Sequence, residues 1–283
     1  MEIGKRKGRT TMTIESKNGK VVNERTKVLD RWKEYIEELY ESKDRPSNLE
    51  VEDVKDVSED DKGFTILRDE FEKALSDMRN GKASGVDSIP IELIKNLGEE
   101  GKKEMFKICY EIFETGEWPE DFLETVMIPL EKKSSARRCE DYRTISLISH
   151  ASKILLRILN QRLYSRTCDE VGEEQFGFRR GKGTRDAIGL LRVIGERFIE
   201  KGKEIYVVFI DLEKAFDRVN WEILMGVLKK VGVEWKERRL IRNLYMNQKV
   251  RVRIGAEMTG ESAIGRGVRQ GCCLSPTLLE ETI

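Results

Sequence analysis

An α+β fold is predicted by three features of the 283-residue sequence. Its first 120 residues read almost wholly as helix and loop, with apolar side chains at helical spacing. Tyr206-Val-Val-Phe-Ile210 is an unbroken apolar run of strand-forming residues. Val250-Arg-Val-Arg-Ile254 alternates at period two, as a ribbon strand with its arginines on one face does.

Residues 1–24 are polar, carry the basic run Lys5-Arg-Lys-Gly-Arg9, and read as a disordered tail. A second unit, 25–61, holds a helix over about 26–41 with Trp32, Ile36, Leu39 and Tyr40 on one side. After it, 42–61 is acidic, contains Pro46 and reads as a linker. A third unit, 62–204, is helix-rich. Helices are predicted over 69–78, where Asn80-Gly81 ends the first, then over 91–97 and 99–115, with Trp118-Pro119 closing this part. Strands follow at 124–130 and 145–148 around an exposed basic turn at 132–138, then helices at 149–166 and 184–200.

The last unit is 205–283. Its strand at 206–211 shows no apolar/polar alternation, so burial on both faces is expected. A turn from Leu212 to Asp217 leads to a helix with Asn220 as N-cap and Ile223, Leu224, Val227, Leu228 and Val231 as its stripe, closed by Gly232. A helix over 234–247, the 250–254 strand and a helix opened by Ser275-Pro276 complete it.

Hydrophobic residues make up 39% and charged residues 37%, a balance on the polar side of globular proteins. Net charge is zero, yet it is unevenly spread: 17 acidic against 8 basic residues over 30–77, and 13 basic against 7 acidic over 129–185. A basic middle segment is what phosphate contacts need. The five cysteines (Cys109, Cys139, Cys168, Cys272, Cys273) are scattered, and the adjacent pair suits neither one zinc site nor an unstrained bridge, so a reducing compartment is expected. His150 is the single histidine, which nearly excludes His-based nucleophilic or zinc chemistry. No apolar run approaches membrane-spanning length and no signal-peptide pattern opens the chain, so neither insertion nor secretion is expected.

Asp211 stands where the apolar run stops, and a carboxylate at a strand end suits a divalent metal. The segment Gly267-Val-Arg-Gln-Gly-Cys-Cys-Leu-Ser-Pro-Thr-Leu-Leu279 adds a glycine, Gly271, that permits close backbone approach. Together, Ile210-Asp-Leu-Glu-Lys-Ala-Phe-Asp-Arg-Val219 and Val268-Arg-Gln-Gly-Cys-Cys-Leu-Ser-Pro276 resemble the first and second palm motifs of reverse transcriptases of non-LTR (LINE-type) retrotransposons. Three more segments resemble that family in its own order: Gly81-Lys-Ala-Ser-Gly-Val-Asp-Ser-Ile-Pro90, Asp141-Tyr-Arg-Thr-Ile-Ser-Leu147 with the helix after it, and Gln175-Phe-Gly-Phe-Arg-Arg-Gly181. The resemblance covers about 20–279.

The resemblance implies a right-hand polymerase fold, with 62–204 fingers-like and 205–283 a partial palm. It implies RNA-directed DNA polymerisation, with an RNA template, a DNA primer and deoxynucleoside triphosphates as partners and Mg²⁺ as cofactor. Asp211 would be a metal ligand, joined by the Leu212 carbonyl. Phe216 would be the aromatic gate against a ribonucleotide 2′-hydroxyl. Gln270 would contact the incoming nucleotide, with Gly271 leaving room for it. Arg143 and Arg179 would lie over the triphosphate, assisted by Lys132 or Lys133. Asp217 is read as structural, pairing with Arg218 or a nearby lysine. Thr144 stands where the family more often has proline, a change expected to loosen a turn. The family's paired aspartates follow the second motif, whereas the one Asp-Asp here is Asp60-Asp61 in the acidic stretch. A fragment without thumb, inactive alone and weak in Mg²⁺ binding, is therefore expected, with its 206–211 strand short of sheet partners and leaving an apolar edge open. The alternative is a non-catalytic nucleic-acid-binding module using 129–185. Family activity places the protein in the nucleus or cytoplasm.

Overall fold

The structure, a computed structural model, describes residues 12–167, 172–179, 181–280 and 282. The Lys5–Arg9 run and Cys168 lie outside the described residues. The expected disordered tail gives way earlier than 24, because 12–24 is ordered by pairing. Strands β1 (Ile14–Glu15) and β2 (Val21–Val22) form an antiparallel hairpin, with Ile14 fully buried and Glu15 N–H donating to the Arg137 carbonyl at 2.8 Å.

Helix α1 (Arg25–Leu39) buries Val28, Trp32, Tyr35 and Ile36. Trp32 meets Tyr142 edge to face at 5.4 Å, which seats the helix on the main body. Beyond α1 the expected linker is instead a docked segment. Leu49 is 1% exposed, and its carbonyl accepts from Arg242. Glu52 pairs with Arg238 and Lys229, and its carbonyl accepts from the Trp235 indole. The physical reason is charge complementarity: the acidic stretch lies against a basic helical surface whose guanidinium groups donate to side chains and backbone alike. Its α-helical turn is α2 (Glu59–Lys62), N-capped by Ser58, and short 3-10 turns lie at Ser42–Asp44 and Val54–Asp56.

The helical layer comprises α3 (Arg68–Ser76), α4 (Ile91–Lys95), α5 (Glu99–Thr115), the short α6 (Glu120–Leu123) and the central α7 (His150–Thr167). Helix α7 is buried almost all round, from His150 through Leu163, because α3, α4, α5 and the last helix all pack on it. Its Arg162 gathers this layer, binding Glu70 through both carboxylate oxygens at 2.7 Å, the Thr65 carbonyl at 2.7 Å and Glu237 at 3.3 Å.

The sheet runs β4-β3-β5-β6. Central β3 (Glu124–Glu131) is antiparallel to β4 (Tyr142–Leu147), from Val126↔Leu147 to Glu131↔Tyr142. It is parallel to β5 (Lys249–Ile254), from Glu124↔Lys249 to Met127↔Val252, and β6 (Glu257–Met258) closes the edge. Pro129 sits past the last β3–β5 pair, where its missing N–H breaks no ladder bond to β5. In β5, Val250 and Val252 are fully buried while Arg251 and Arg253 stay part-exposed, the facing the alternation predicted. Thr144 lies within β4 opposite Pro129, so it loosens no turn.

Between α8 (Thr184–Glu200) and the helices α9 (Trp221–Lys230) and α10 (Trp235–Asn247), the structure departs from expectation. Residues 203–212 form no strand, and Tyr206, Val208, Phe209 and Ile210 are each at least 83% exposed. The expectation of burial on both faces is wrong for this segment, because no described strand lies alongside to cover either face. The apolar run is open to solvent, though not as a strand edge, and the exposure extends to α8, which has no buried residue although Ile188, Leu191 and Ile199 are apolar. A final short helix, α11 (Ser275–Glu280), packs on α7. No helix among the described residues is long and apolar enough to cross a membrane.

Candidate nucleotide site

The turn after residue 211 is shaped by its backbone. Lys214 takes a left-handed φ of 55°, and Asp217 N–H closes onto the Lys214 carbonyl at 2.9 Å. The Asn220 side chain then accepts from the amides of Glu222 and Ile223, starting α9 as its sequence predicted.

A second segment, 265–272, is stitched to this turn residue by residue. Gly267 N–H donates to the Val219 carbonyl and Val268 N–H to the Phe216 carbonyl, both at 2.7 Å. The Trp221 indole donates to the Gly267 carbonyl at 2.8 Å. Gly267 has φ 88°, and a Cβ there would stand 2.7 Å from the Tyr40 ring, so glycine is required on two counts. Further on, Ser146 N–H donates to the Gln270 carbonyl at 2.7 Å, tying this segment to β4. Gly271, φ 109°, packs against the same strand, where a Cβ would reach 3.1 Å from the Ser146 carbonyl oxygen.

These three pieces, with Tyr35 and Leu39 of α1, line an open cavity of about 450 Å³. Arg143, Asp211, Leu212, Phe216 and Gln270 line it, together with Lys132, Glu140, Glu213, Lys214 and Asp217. Five of the seven residues singled out from the sequence are thus brought together from β4, the 211–216 turn and the 265–272 segment. Gly271 supports the wall from behind. Arg179 is placed elsewhere: its guanidinium donates to the Gly172 carbonyl at 2.6 Å and its charge acts on Glu280. The segment that carries Arg179 still touches the site, since Phe178 meets Phe216 edge to face at 6.1 Å.

Of the two lysines offered as assistants, Lys132 lines the cavity and donates to the Glu140 carbonyl, whereas Lys133 pairs with Asp141 at 2.8 Å. Asp217 does not pair with Arg218, which turns to Glu213 at 3.4 Å. Asp217 instead accepts the Tyr40 hydroxyl at 2.6 Å. Burial pushes its carboxyl up from the ordinary value, against that hydrogen bond and the charges of Lys214, Lys132 and Arg266.

Asp211 and Leu212 are both exposed at the cavity's edge. A carboxylate and a carbonyl are hard oxygen donors of the kind Mg²⁺ takes alongside substrate phosphates. Among the described residues, no three His, Cys, Asp or Glu side chains converge as a metal site. Sequence reasoning missed Tyr40 and Arg269. The latter is a buried cation whose Nε donates to Gln248 at 3.2 Å and whose NH2 donates to the Leu123 carbonyl at 3.1 Å, fixing the segment before Gln270. Arg269 sits in a recognisable motif, so its position was readable though its burial was not. Tyr40 carried no local signal.

Residues 130–283, more than half of the chain, match the family described as reverse transcriptase (RNA-dependent DNA polymerase). Among curated proteins, the chain is 30% identical over 213 residues to the 149 kDa protein of transposon TX1 from Xenopus laevis, covering 75% of this chain and 16% of that protein. It is 27% identical over 215 residues to the Pol polyprotein of the type-1 retrotransposable element R2 from Nasonia vitripennis, covering 75% and 20%. It is 25% identical over 226 residues to the RNA-directed DNA polymerase from mobile element jockey of Drosophila melanogaster, covering 75% and 24%. The chain thus spans between about a sixth and a quarter of the length of these relatives.

Proposed function

Because the chain belongs to the reverse transcriptase (RNA-dependent DNA polymerase) family, we propose that its cavity receives a deoxynucleoside triphosphate for nucleotidyl transfer to a DNA primer on an RNA template. The observation that carries this reading is the convergence of Arg143, Asp211, Leu212, Phe216 and Gln270 on one cavity, from three separate parts of the chain.

Each residue has a task its chemistry suits. Arg143 presents an exposed guanidinium at the cavity wall, able to take phosphate oxygens bidentately. Phe216, held by the Val268 amide on its carbonyl and by Phe178 on its ring, puts an apolar face where a sugar 2′-hydroxyl would have to sit. Gln270, fixed through its carbonyl to β4, leaves its amide side chain for the nucleotide. Asp211 and the Leu212 carbonyl would hold Mg²⁺, which when bound neutralises charge on the triphosphate. We assign 62–204 to a fingers-like region and 205–283 to a partial palm, with 25–61 docked against both. Arg179 belongs, on this reading, to the wall behind Phe216 rather than to the triphosphate contacts.

The test is primer extension on a poly(rA) template with an oligo(dT) primer and Mg²⁺ or Mn²⁺, alongside equilibrium binding of dTTP. Binding that weakens about tenfold or more in Arg143→Gln, the loss of one charge-assisted bidentate contact, is expected. Incorporation, where measured, should vanish in Asp211→Ala. Nucleotide binding indifferent to both substitutions would sink the reading.

A further inference from the structure

We infer that Tyr40, the residue that ends α1, is a positioning residue for the nucleotide cavity. Its hydroxyl fixes the Asp217 carboxylate, and through it the turn that presents Phe216, and so sets discrimination between deoxyribo- and ribonucleoside triphosphates. This deepens, and rests on, the polymerase reading above.

Tyr40 lies 177 positions before Asp217 and outside the family-matched residues. Its side chain is 2% exposed, and its hydroxyl donates to Asp217 Oδ1 at 2.6 Å. From β4, Thr144 lies near enough to act on the same phenol, and Thr144 itself lines the cavity. Three elements distant in sequence thereby meet at one part-buried polar contact. A proline at 144, the residue that the related motif more often carries, has no hydroxyl to supply to it.

The backbone around this contact is held equally closely. The Tyr40 carbonyl accepts Gly265 N–H at 2.7 Å, and Leu39's accepts the Arg266 guanidinium. Gly267 fills the space between the Tyr40 ring and the Asp217 carbonyl, where a Cβ would lie 2.7 and 2.8 Å from them. The next residue, Val268, donates to the Phe216 carbonyl. Removing the Tyr40 hydroxyl leaves the Asp217 carboxylate, largely buried, without its neutral donor. It then turns toward Lys214, Lys132 or Arg266, the cations that act on it, or takes up a proton. Either change shifts the residue adjacent to Phe216, and with it the gate.

The experiment compares the full chain with Tyr40→Phe, which keeps the ring that Gly267 packs on, and Thr144→Val, which keeps the shape of residue 144. Amide hydrogen exchange over 212–219 and at Val268 should accelerate about tenfold in Tyr40→Phe, the equivalent of one hydrogen bond to a charged group, and less in Thr144→Val, with the thermal midpoint little changed. In Tyr40→Phe, the ratio of ATP to dATP dissociation constants, measured with Mn²⁺ and a primed template, should fall by several-fold to about tenfold while dATP affinity itself holds. Unchanged exchange in Tyr40→Phe overturns the inference, as does faster exchange with an unchanged ratio. If the unaltered chain binds neither nucleotide, the polymerase reading falls first and takes the gate with it. That failure is distinguishable, because the exchange data still show whether Tyr40 holds the turn.

Discussion

At the residue scale, the chain invests buried charge where several elements must meet. Arg162 holds Glu70, the carbonyls of Phe64 and Thr65, and Glu237. Glu237 is 2% exposed, one of its oxygens has no hydrogen-bond partner, and burial raises its carboxyl above the ordinary value although Arg166 and Arg162 act on it. Such a cluster contributes little beyond what apolar packing would, yet losing one member strands the others in low dielectric. Arg162→Ala should therefore cost about 3–5 kcal/mol, read as a lowered urea midpoint. A triple variant that also replaces Glu70 and Glu237 by Leu and Met should recover part of the loss. A cost under about 1 kcal/mol for Arg162→Ala would show the network to be solvated.

At the element scale, the contrast lies between segments that found a partner surface and one that did not. Helix α1 and the acidic stretch after it are buried by contacts far along the chain, Trp32 on Tyr142 and Glu52 on Arg238. The 203–212 segment has strong strand propensity and, among the described residues, no strand beside it, and α8 presents its apolar side to solvent. Propensity alone stabilises an isolated strand hardly at all, and an exposed apolar run invites pairing with another chain. Val208→Thr with Ile210→Thr should lower concentration-dependent self-association in sedimentation while leaving the thermal midpoint within about 2 °C, since neither side chain belongs to the core. A drop of many degrees would mean that the segment is packed in solution.

At the scale of the whole molecule, zero net charge conceals a division of labour. Of the basic residues over 129–185, Lys133, Arg157, Arg162 and Arg166 pair with Asp141, Asp77, Glu70 and Glu234, so they hold the fold together. Lys132, Arg137, Arg138 and Arg143 are exposed on β4 and the turn before it. If this surface meets single-stranded RNA, the slope of log affinity against log salt should reflect about four phosphates, roughly −3, rather than the −9 that all thirteen basic residues would give. Replacing Arg137 and Arg138 by Glu should flatten it further. A slope near zero in the unaltered chain would remove nucleic acid from this face.

The sequence by itself determined the family membership and most of the elements, the strand expected at 206–211 excepted. Helical spacing placed α5, α7, α9 and α10 within a residue or two, period-two alternation set the facing of β5, and the motifs around Asp211 and Gln270 marked two walls of one cavity, because such signals are local. Only the tertiary structure decided which elements are covered. An apolar run such as 206–210 states that burial is favourable, but whether a neighbour exists to provide it depends on pairing across the chain. The same holds for the carboxylate that Tyr40 binds and for the basic face that captures the acidic stretch: both partners are ordinary residues in their own surroundings, and only the fold makes them neighbours.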